Sequence, residues 1–292
     1  MTAHIRTVLA ALAIGLCPVH PGLAQPPARI VSLVPAVTEM LFGIGAGELV
    51  VGVSSFDRHP PEVGALPRVG GLLDPDVERV MSLRPELVVV YATQQELRGQ
   101  LTRAGIETFP YRHGSGLAAI AGTIRTLGAL ADRRDGAEAL ASRIEQRLAA
   151  VSARVGGRPR PRTLMVFDRQ PSSLRGIYAS GGVGFLHDML ETAGGLNVFA
   201  DVDRESVQLN LETLISRAPE VIVELQITGD IGPEATSREA AAWSQLPTIP
   251  AVRDGRVYLL GGDAFVVPGP RIAEATERLA RALHPEAFDD EP

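Results

Sequence analysis

Short apolar runs alternate with amphipathic segments along most of the chain. The stretches "RIVSLVP" and "ELVVVYA" are rich in β-branched residues and predict buried strands, whereas "AVTEMLFGIG" and "QQELRGQLTRAG" have the residue pattern of helices. The alternation begins again at Arg162 with "TLMVF" and continues to a closing helix, "PRIAEATERLARALH". Strands that alternate with helices in this way predict an α/β fold whose mostly parallel sheets are covered on both faces.

One predicted helix is much longer than the others. The segment "DGAEALASRIEQRLAAVSARVGG" keeps its apolar residues at helical spacing. About 20 helical residues extend roughly 30 Å, enough to run from one lobe to the next. Because 292 residues exceed the usual size of one domain, we expect two doubly wound lobes, residues 28–132 and 160–284, joined by one long rigid helix over residues 133–157.

The chain also contains an internal repeat. The segment "LDPDVERVMSLRPELVVV" aligns with "LNLETLISRAPEVIV" at an offset of 134 residues. The alignment that matches Pro85 with Pro219 also matches Glu78 with Glu212. Each copy falls in its own predicted lobe, so the repeat supports the division into two related halves.

The two matched glutamates have a local explanation. Each lies near the start of a predicted helix, behind Asp74 (with Pro75 as the first helical residue) or Asn210 as N-cap. There a carboxylate gains about 0.3–1 kcal/mol from the helix dipole. This does not explain why both halves keep an acid at the same place. If a pseudo-twofold relates the lobes, both carboxylates lie on one surface, where symmetric arginines of a partner can bind them.

Composition and charge exclude several classes of protein. Apolar residues make up 45% of the chain and the formal net charge is −6, which describes a globular protein with an ample core and excludes general disorder. The balance of charge is also not that of a nucleic-acid-binding protein.

Residues 1–24 have the pattern of a secretory signal peptide. A positively charged start precedes the apolar run "TVLAALAIGLC", and "PGLA" supplies small residues for cleavage near Ala24. The run is too short for a membrane span of about 20 residues. Leu16 is not the small residue that a lipoprotein signal carries before its cysteine, which disfavours lipidation of Cys17. Since Cys17 is the only cysteine, we expect an exported, periplasmic chain without disulfides or cysteine-ligated metal.

Catalytic motifs are weak in this sequence. His113 stands near Ser115, but the nucleophile-elbow pattern requires a glycine two residues before the serine, and His113 occupies that place. The glycines of "SGGVGF" can cradle a phosphate at a helix start, but the P-loop lysine and the spaced Rossmann glycines are missing, and a tight turn that leads into the helix explains them better. An exported hydrolase that uses Ser115 or Asp263 stays open only as a remote alternative, and we expect no enzyme.

Histidines are scattered and show no helical metal-binding pair. The candidates for bare-metal binding, which stays open as an alternative, are His59, His113, His187 and His284, with Asp57 and Asp263 as partners. We predict no resident metal and no cofactor.

Several segments together resemble one known family. They are "RIVSLVPAVTEMLFGIGAGELVVGVSSFDRHPP", "LPRVGGLLDPDVERVMSLRPELVVV", "AGGLNVF", "LETLISRAPEVIV" and "PGPRIAEATERLA". In these the chain resembles the helical-backbone substrate-binding proteins of ATP-driven (ABC) importers, which serve cobalamin, haem and ferric siderophores. The first two segments are most similar to the cobalamin-binding members.

The resemblance implies a ligand cleft between the lobes, near the carboxyl ends of the strands. The residues that it assigns to ligand binding are Phe56, Leu72, Tyr91, Tyr178 and Asp263. It also implies that Glu78 and Glu212 dock to arginines of a dimeric membrane permease. The expected protein is a monomer that captures a corrinoid such as cobalamin, or a related metal chelate, and delivers it to the importer.

The chain departs from the cobalamin binders at three positions. Leu72 and Ser206 stand where those proteins often offer tryptophan, and Val267 replaces an expected basic residue. The alternatives within the family are ferric siderophores and haem. A siderophore would be bound by arginines, for which the candidates are Arg58, Arg112, Arg169 and Arg175. Haem would use Tyr91, Tyr178 or His59 as an axial ligand. A sensor or surface adhesin built on the same lobes is a further alternative.

Overall fold

The first half of the chain forms a four-stranded, wholly parallel sheet in a computed structural model that describes residues 25–112, 116–226 and 232–289. Its strands are β1 (Ile30–Ser32), β2 (Val50–Val53), β3 (Leu87–Tyr91) and β4 (Glu107–Tyr111), in the order β2-β1-β3-β4. The central strands β1 and β3 are buried almost throughout, which explains why they read as continuous apolar runs. The helices of this lobe are α1 (Pro35–Gly43), α2 (Val77–Ser82), α3 (Gln95–Arg103) and α4 (Leu117–Leu130).

One long helix leads from the first sheet to the second. Helix α5 (Arg134–Val155) has 22 residues, about 33 Å at the usual rise. Its buried side chains follow the predicted apolar face, and it packs against both α4 and the last helix of the chain. The helical link predicted from the sequence is therefore present.

The second half forms a six-stranded sheet. Its strands are β5 (Arg162–Asp168), β6 (Ile177–Ser180), β7 (Leu196–Asn197), β8 (Ser206–Leu209), β9 (Val221–Gln226) and β10 (Val257–Gly261). The order is β10-β9-β5-β6-β8, and the two-residue β7 pairs with the start of β5. Strands β10, β9, β5 and β7 run parallel, as predicted, whereas β6 is antiparallel to both β5 and β8. The sequence pattern missed β6 and β8.

The described part of this second half contains five α-helices. They are α6 (Phe185–Thr192), α7 (Leu211–Arg217), α8 (Gly232–Ala242), the single turn α9 (Pro250–Arg253) and α10 (Ile272–Leu283). No helix among the described residues is long and apolar enough to cross a membrane. The predicted signal peptide, residues 1–24, lies outside the described residues.

A layer of helices connects the two sheets. One apolar cluster contains buried residues of α1, α4, α5, α6 and α10 together with strand residues of both lobes. At Gly43 in α1, an added Cβ would lie 2.8 Å from Leu140 Cδ2 of α5, so these helices approach closely. Because packed interiors deform little, this continuous core restricts how far the lobes can move apart.

The start of α2 differs from the prediction. Asp76, not Asp74, is the N-cap, and its Oδ1 accepts a hydrogen bond from the Arg79 N–H at 2.9 Å. The reason is that the Asp76 N–H donates to the Val69 carbonyl at 3.0 Å, which holds this part of the loop outside the helix. Pro75 is consequently not the first helical residue. The second predicted cap is confirmed: Asn210 Oδ1 accepts from the Thr213 N–H at 2.8 Å.

Candidate ligand-binding cleft

Three of the five predicted ligand-binding residues lie together in the first lobe. Gln94 holds them in place: its Oε1 accepts the Tyr91 N–H at 2.9 Å, and its Nε2 donates to the Leu72 carbonyl at 2.9 Å. At Gly71, an added Cβ would lie only 2.5 Å from Phe56 Cε2, so the ring of Phe56 packs against this glycine. Phe56, Leu72 and Tyr91 are thus tied together through Gly71 and Gln94, and we call these three residues the apolar platform; Phe56 is 65% exposed.

Tyr91 and Tyr178 are connected by a row of aromatic residues that crosses between the lobes. Tyr91 contacts Tyr111 edge to face, with ring centroids 6.3 Å apart. Tyr111 and Phe185, at the start of α6, line the same small cavity. Phe185 also lines a second cavity together with Phe167, and the Phe167 ring lies 6.4 Å from that of Tyr178. The row therefore links Tyr91 in the first lobe with Tyr178 in the second.

The second cavity has a volume of about 210 Å³. Its wall is mostly apolar, with Glu205 and Ser206 as its polar members. The lining residues are Phe167, Val183, Gly184, Phe185, Leu186, Glu205, Ser206 and Val266. None of the five predicted residues lines it, although Tyr178 stands directly behind Phe167. The sequence reasoning missed Phe167 and Phe185, whose positions near the end of β5 and the start of α6 were the available signal.

Asp263 is held by an ion-pair network that spans the lobes. Arg271 Nη1 donates to Asp263 Oδ1 at 2.7 Å, and Arg271 Nε donates to Glu39 Oε2 of α1 at 3.0 Å. The Arg271 guanidinium lowers the pKa of Asp263 below its ordinary value, and nearby His59 contributes in the same direction. Burial outweighs Arg271 at Glu39 and raises the pKa of that carboxyl. Glu39 and Arg271 were not identified from the sequence, where the only sign was an acid in the apolar segment "AVTEMLF".

Asp57 is buried beneath the same platform. It is 2% exposed, and among the described residues neither carboxylate oxygen has a hydrogen-bond partner. The neighbouring Thr38 hydroxyl instead donates to Ser32 Oγ at 2.9 Å. Burial raises the pKa of Asp57 to about 7, and the nearby Thr38 hydroxyl, Ser54 backbone and Arg68 offset only part of this. The negative charge of Asp57 also adds to burial in raising the pKa of Tyr91.

The candidate cations and metal ligands occupy different environments. Arg169 is buried and pairs with Glu224 and Glu239 at 3.0 and 2.8 Å, so it is not a cleft-lining cation. The exposed candidates are Arg58, Arg112 and Arg175. Within the described ranges, no group of three or more histidine, cysteine or acidic residues could hold a metal ion. His113 and Ser115 lie outside those ranges.

Glu78 and Glu212 occupy matching places on α2 and α7. Each follows its N-cap by two residues and is exposed. Each helix is followed by a non-glycine residue in the left-handed conformation, Arg84 with φ of 48° and Ala218 with φ of 43°, again 134 residues apart. The repeat seen in the sequence is therefore repeated in backbone geometry.

Comparisons with known proteins agree with this architecture. A family model described as "Periplasmic binding protein" matches residues 30–264. A vitamin B12-binding protein of Salmonella typhimurium is 31% identical over 257 residues, which cover 87% of this chain and 90% of that protein. A cobalamin-binding protein of Halobacterium salinarum is 29% identical over 267 residues, which cover 90% of this chain and 71% of that protein.

Solved structures share the fold. The periplasmic vitamin B12 binding protein BtuF of Vibrio cholerae superposes with a TM-score of 0.75 at 24% identity and covers 91% of this chain and 99% of its own. The periplasmic heme-binding protein RhuT of Roseiflexus has a TM-score of 0.75 at 28% identity, with coverage of 89% and 98%. These findings confirm the resemblance drawn from the sequence, and the chain belongs to the periplasmic binding protein family.

Proposed function

We propose that this protein captures a corrinoid of the cobalamin type between its lobes and delivers it to the permease of an ABC importer. The observation that carries the proposal is the apolar platform of Phe56, Leu72 and Tyr91, at one end of an aromatic row that reaches Tyr178. The B12-binding relative, alike over nearly the whole chain, names the ligand class. The ligand is bound and released unchanged.

The platform suits a large macrocycle with a partly apolar face. Phe56 is fixed from below by Gly71 yet leaves most of its ring open to a ligand, so little side-chain freedom is lost on binding. The cavity near Phe167 offers Ser206 and Glu205 at its edge for amide groups on the rim of a corrin. Asp263 is less suited to accept hydrogen bonds from these amides, because its Oδ1 already accepts one from Arg271.

One of the four arginines that a ferric siderophore would use is already paired, which favours a corrinoid. Of the four candidate arginines, Arg169 is used inside the second lobe. Haem is the second candidate, since Tyr91 and Tyr178 are possible axial ligands and a heme-binding protein shares the fold at 28% identity.

The protein is proposed to act as an exported, periplasmic monomer. Glu78 and Glu212 are assigned to docking, where each accepts charge-assisted hydrogen bonds from a permease arginine. Reversing both charges, Glu78→Lys with Glu212→Lys, should abolish uptake in cells while leaving corrinoid affinity unchanged. Normal uptake by this variant would remove the docking role.

Calorimetry tests the ligand. Protein that begins at Gln25 is titrated with cyanocobalamin, haemin and a ferric hydroxamate, and cyanocobalamin is expected to bind with micromolar affinity or better. Binding of haemin or the hydroxamate alone would transfer the assignment to that ligand. Absence of heat with all three, checked by quenching of Trp243 fluorescence, would reject the proposal.

A further inference from the structure

Exposed apolar side chains flank both docking glutamates. Met81 follows Glu78 by one helical turn and is 38% exposed, and Ile215 follows Glu212 by one turn and is 47% exposed. Residues three apart on a helix are neighbours on its surface, so each carboxylate has an apolar neighbour at the same relative position. Met81 and Ile215 are themselves 134 residues apart and match in the repeat.

A second exposed apolar residue precedes each glutamate in the chain. Leu73 is 93% exposed in the loop that enters α2, and Leu211 is 41% exposed immediately before Glu212. These four residues are half of the large apolar side chains that are exposed in the described part of the chain; the others are Phe56, Leu72, Val183 and Leu196. Exposed apolar residues that cluster in this way mark interaction surfaces.

The two carboxylates at the centre of these clusters have no protein partner. Neither Glu78 nor Glu212 forms a hydrogen bond or ion pair with its side chain among the described residues. Several acids on other helices are paired: Glu138 and Glu145 both bind Arg125 at 2.8 Å, and Glu277 binds Arg147 at 3.0 Å. Two such acids, each with exposed apolar neighbours, therefore stand at equivalent positions of the repeat.

We propose that Met81 with Leu73, and Ile215 with Leu211, form two apolar rims that pack against the permease around the Glu78 and Glu212 contacts. The inference rests on the proposed function and adds four apolar residues to the docking surface that Glu78 and Glu212 define. Its partner is a membrane protein that presents two twofold-related arginines, each set among apolar side chains. Apolar contacts that exclude water strengthen a charge pair at their centre and slow dissociation.

The rims and the acids should respond differently to salt. Attraction between charges across an interface is screened by salt, whereas burial of an apolar side chain is not. Met81→Ser or Ile215→Ser should weaken binding about tenfold at low and high salt alike, mainly through faster dissociation. Glu78→Gln with Glu212→Gln should flatten the salt dependence. The substituted side chains are not core residues. The serine variants and the glutamine double variant should therefore keep the corrinoid affinity and the Tm of the wild type.

The chain offers a matched control in Leu196. It is 37% exposed, like Met81, but it pairs with Arg162 at the start of β5. The Arg162 guanidinium caps the last turn of α7, where its Nη2 donates to the Arg217 carbonyl at 2.7 Å. Leu196 consequently lies beyond the C-terminal end of α7, away from Glu212 in its first turn, and Leu196→Ser should leave permease binding unchanged.

Surface plasmon resonance tests the inference, with the source organism's cobalamin permease in nanodiscs as the immobilised probe. We expect Met81→Ser and Ile215→Ser to dissociate about tenfold faster than wild type and Leu196→Ser to match it. If both rim variants bind the permease as the wild type does, the apolar rims are rejected, but the proposed function in corrinoid delivery stands. A wild-type protein that binds cyanocobalamin but never the nanodiscs would overturn the docking surface itself. Binding of the permease without any corrinoid binding would overturn only the ligand, and the rims would stand.

Discussion

Glu86 and Glu220 perform the same structural task at equivalent positions in the two lobes. The carboxylate of Glu86 accepts the Ala28 N–H at 2.7 Å, and that of Glu220 accepts the Arg162 N–H at 2.9 Å. Glu86 precedes β3 and ties that strand to the residues just before β1. Glu220 precedes β9 and ties it in the same way to the start of β5. Since these anchors fix the exits of α2 and α7 alike, Glu78 and Glu212 are presented in equivalent ways.

The two aspartates around Pro75 should differ in their effect on stability. Asp76→Ala removes the bond to the Arg79 N–H and should lower the free energy of unfolding by about 1 kcal/mol. Asp74→Ala should change it by less than about 0.5 kcal/mol, since Asp74 does not cap the helix. Urea denaturation of both variants measures the difference. Equal losses would contradict the assignment of Asp76 as the cap.

Phe56 should contribute to ligand binding and little to folding. Because its ring is mostly exposed, Phe56→Ala should leave Tm within about 2 °C while weakening cyanocobalamin binding about tenfold through lost apolar contact. Phe56→Tyr keeps the ring and serves as the control, with near wild-type affinity. Titration calorimetry of the three proteins decides the point. Unchanged affinity in Phe56→Ala would remove Phe56 from the site.

Asp57 should make stability depend on pH. Its pKa is about 7 in the folded protein and about 3.9 when unfolded, so between these values the folded state holds a proton that the unfolded state has lost. Stability therefore falls as pH rises from about 4 to 7, by roughly 2–4 kcal/mol, and stays low above pH 7. Asp57→Asn should be more stable than wild type at pH 8, with the gain shrinking toward pH 4.

Thermal unfolding over this pH range measures the effect. Glu39 and Arg68 lie near Asp57 and stay in place in the variant, and Tyr91, whose pKa is raised above its ordinary value of 10, stays neutral over this pH range, so the comparison reports mainly on Asp57. Parallel pH profiles for the two proteins would show that Asp57 is not buried as the structure has it.

The ion pair between Glu39 and Arg271 should hold the lobes together. Arg271→Met leaves the buried Glu39 carboxylate without its cation and should cost about 3–5 kcal/mol. The double variant Glu39→Met with Arg271→Met removes both charges and should recover much of that loss. A double-mutant cycle by urea denaturation gives the coupling. Additive effects of the two substitutions would mean that the pair contributes nothing.

Much of the fold could be predicted because it depends on local patterns. The apolar runs of β1, β3 and β9, the helical spacing of α5 and the repeated segment at Glu78 and Glu212 all report directly on burial. Strands β6 and β8 were not predicted, because both are short, antiparallel and partly exposed. Their segments "GIYAS" and "SVQL" therefore carry no continuous apolar run. The N-cap of α2 was misassigned for a similar reason. Asp74 and Asp76 are both suitable caps by residue type, and only the tertiary hydrogen bond from the Asp76 N–H to the Val69 carbonyl determines which of them begins the helix.

The cleft depends more on contacts between distant residues. The resemblance directed attention to Phe56 and Tyr91, but no sequence pattern links Glu39 to Arg271 across 232 positions. The same holds for Asp57, whose burial results from packing against α1. Such groups are identified only when the lobes are assembled.

The most direct test of the account is a crystal structure of the protein equilibrated with saturating cyanocobalamin. We predict a corrin ring between the lobes, in contact with Phe56 and Leu72 on one side and near the Phe167 and Tyr178 rings on the other. A cleft without corrin density at saturation, or a corrin bound away from these residues, would contradict the account.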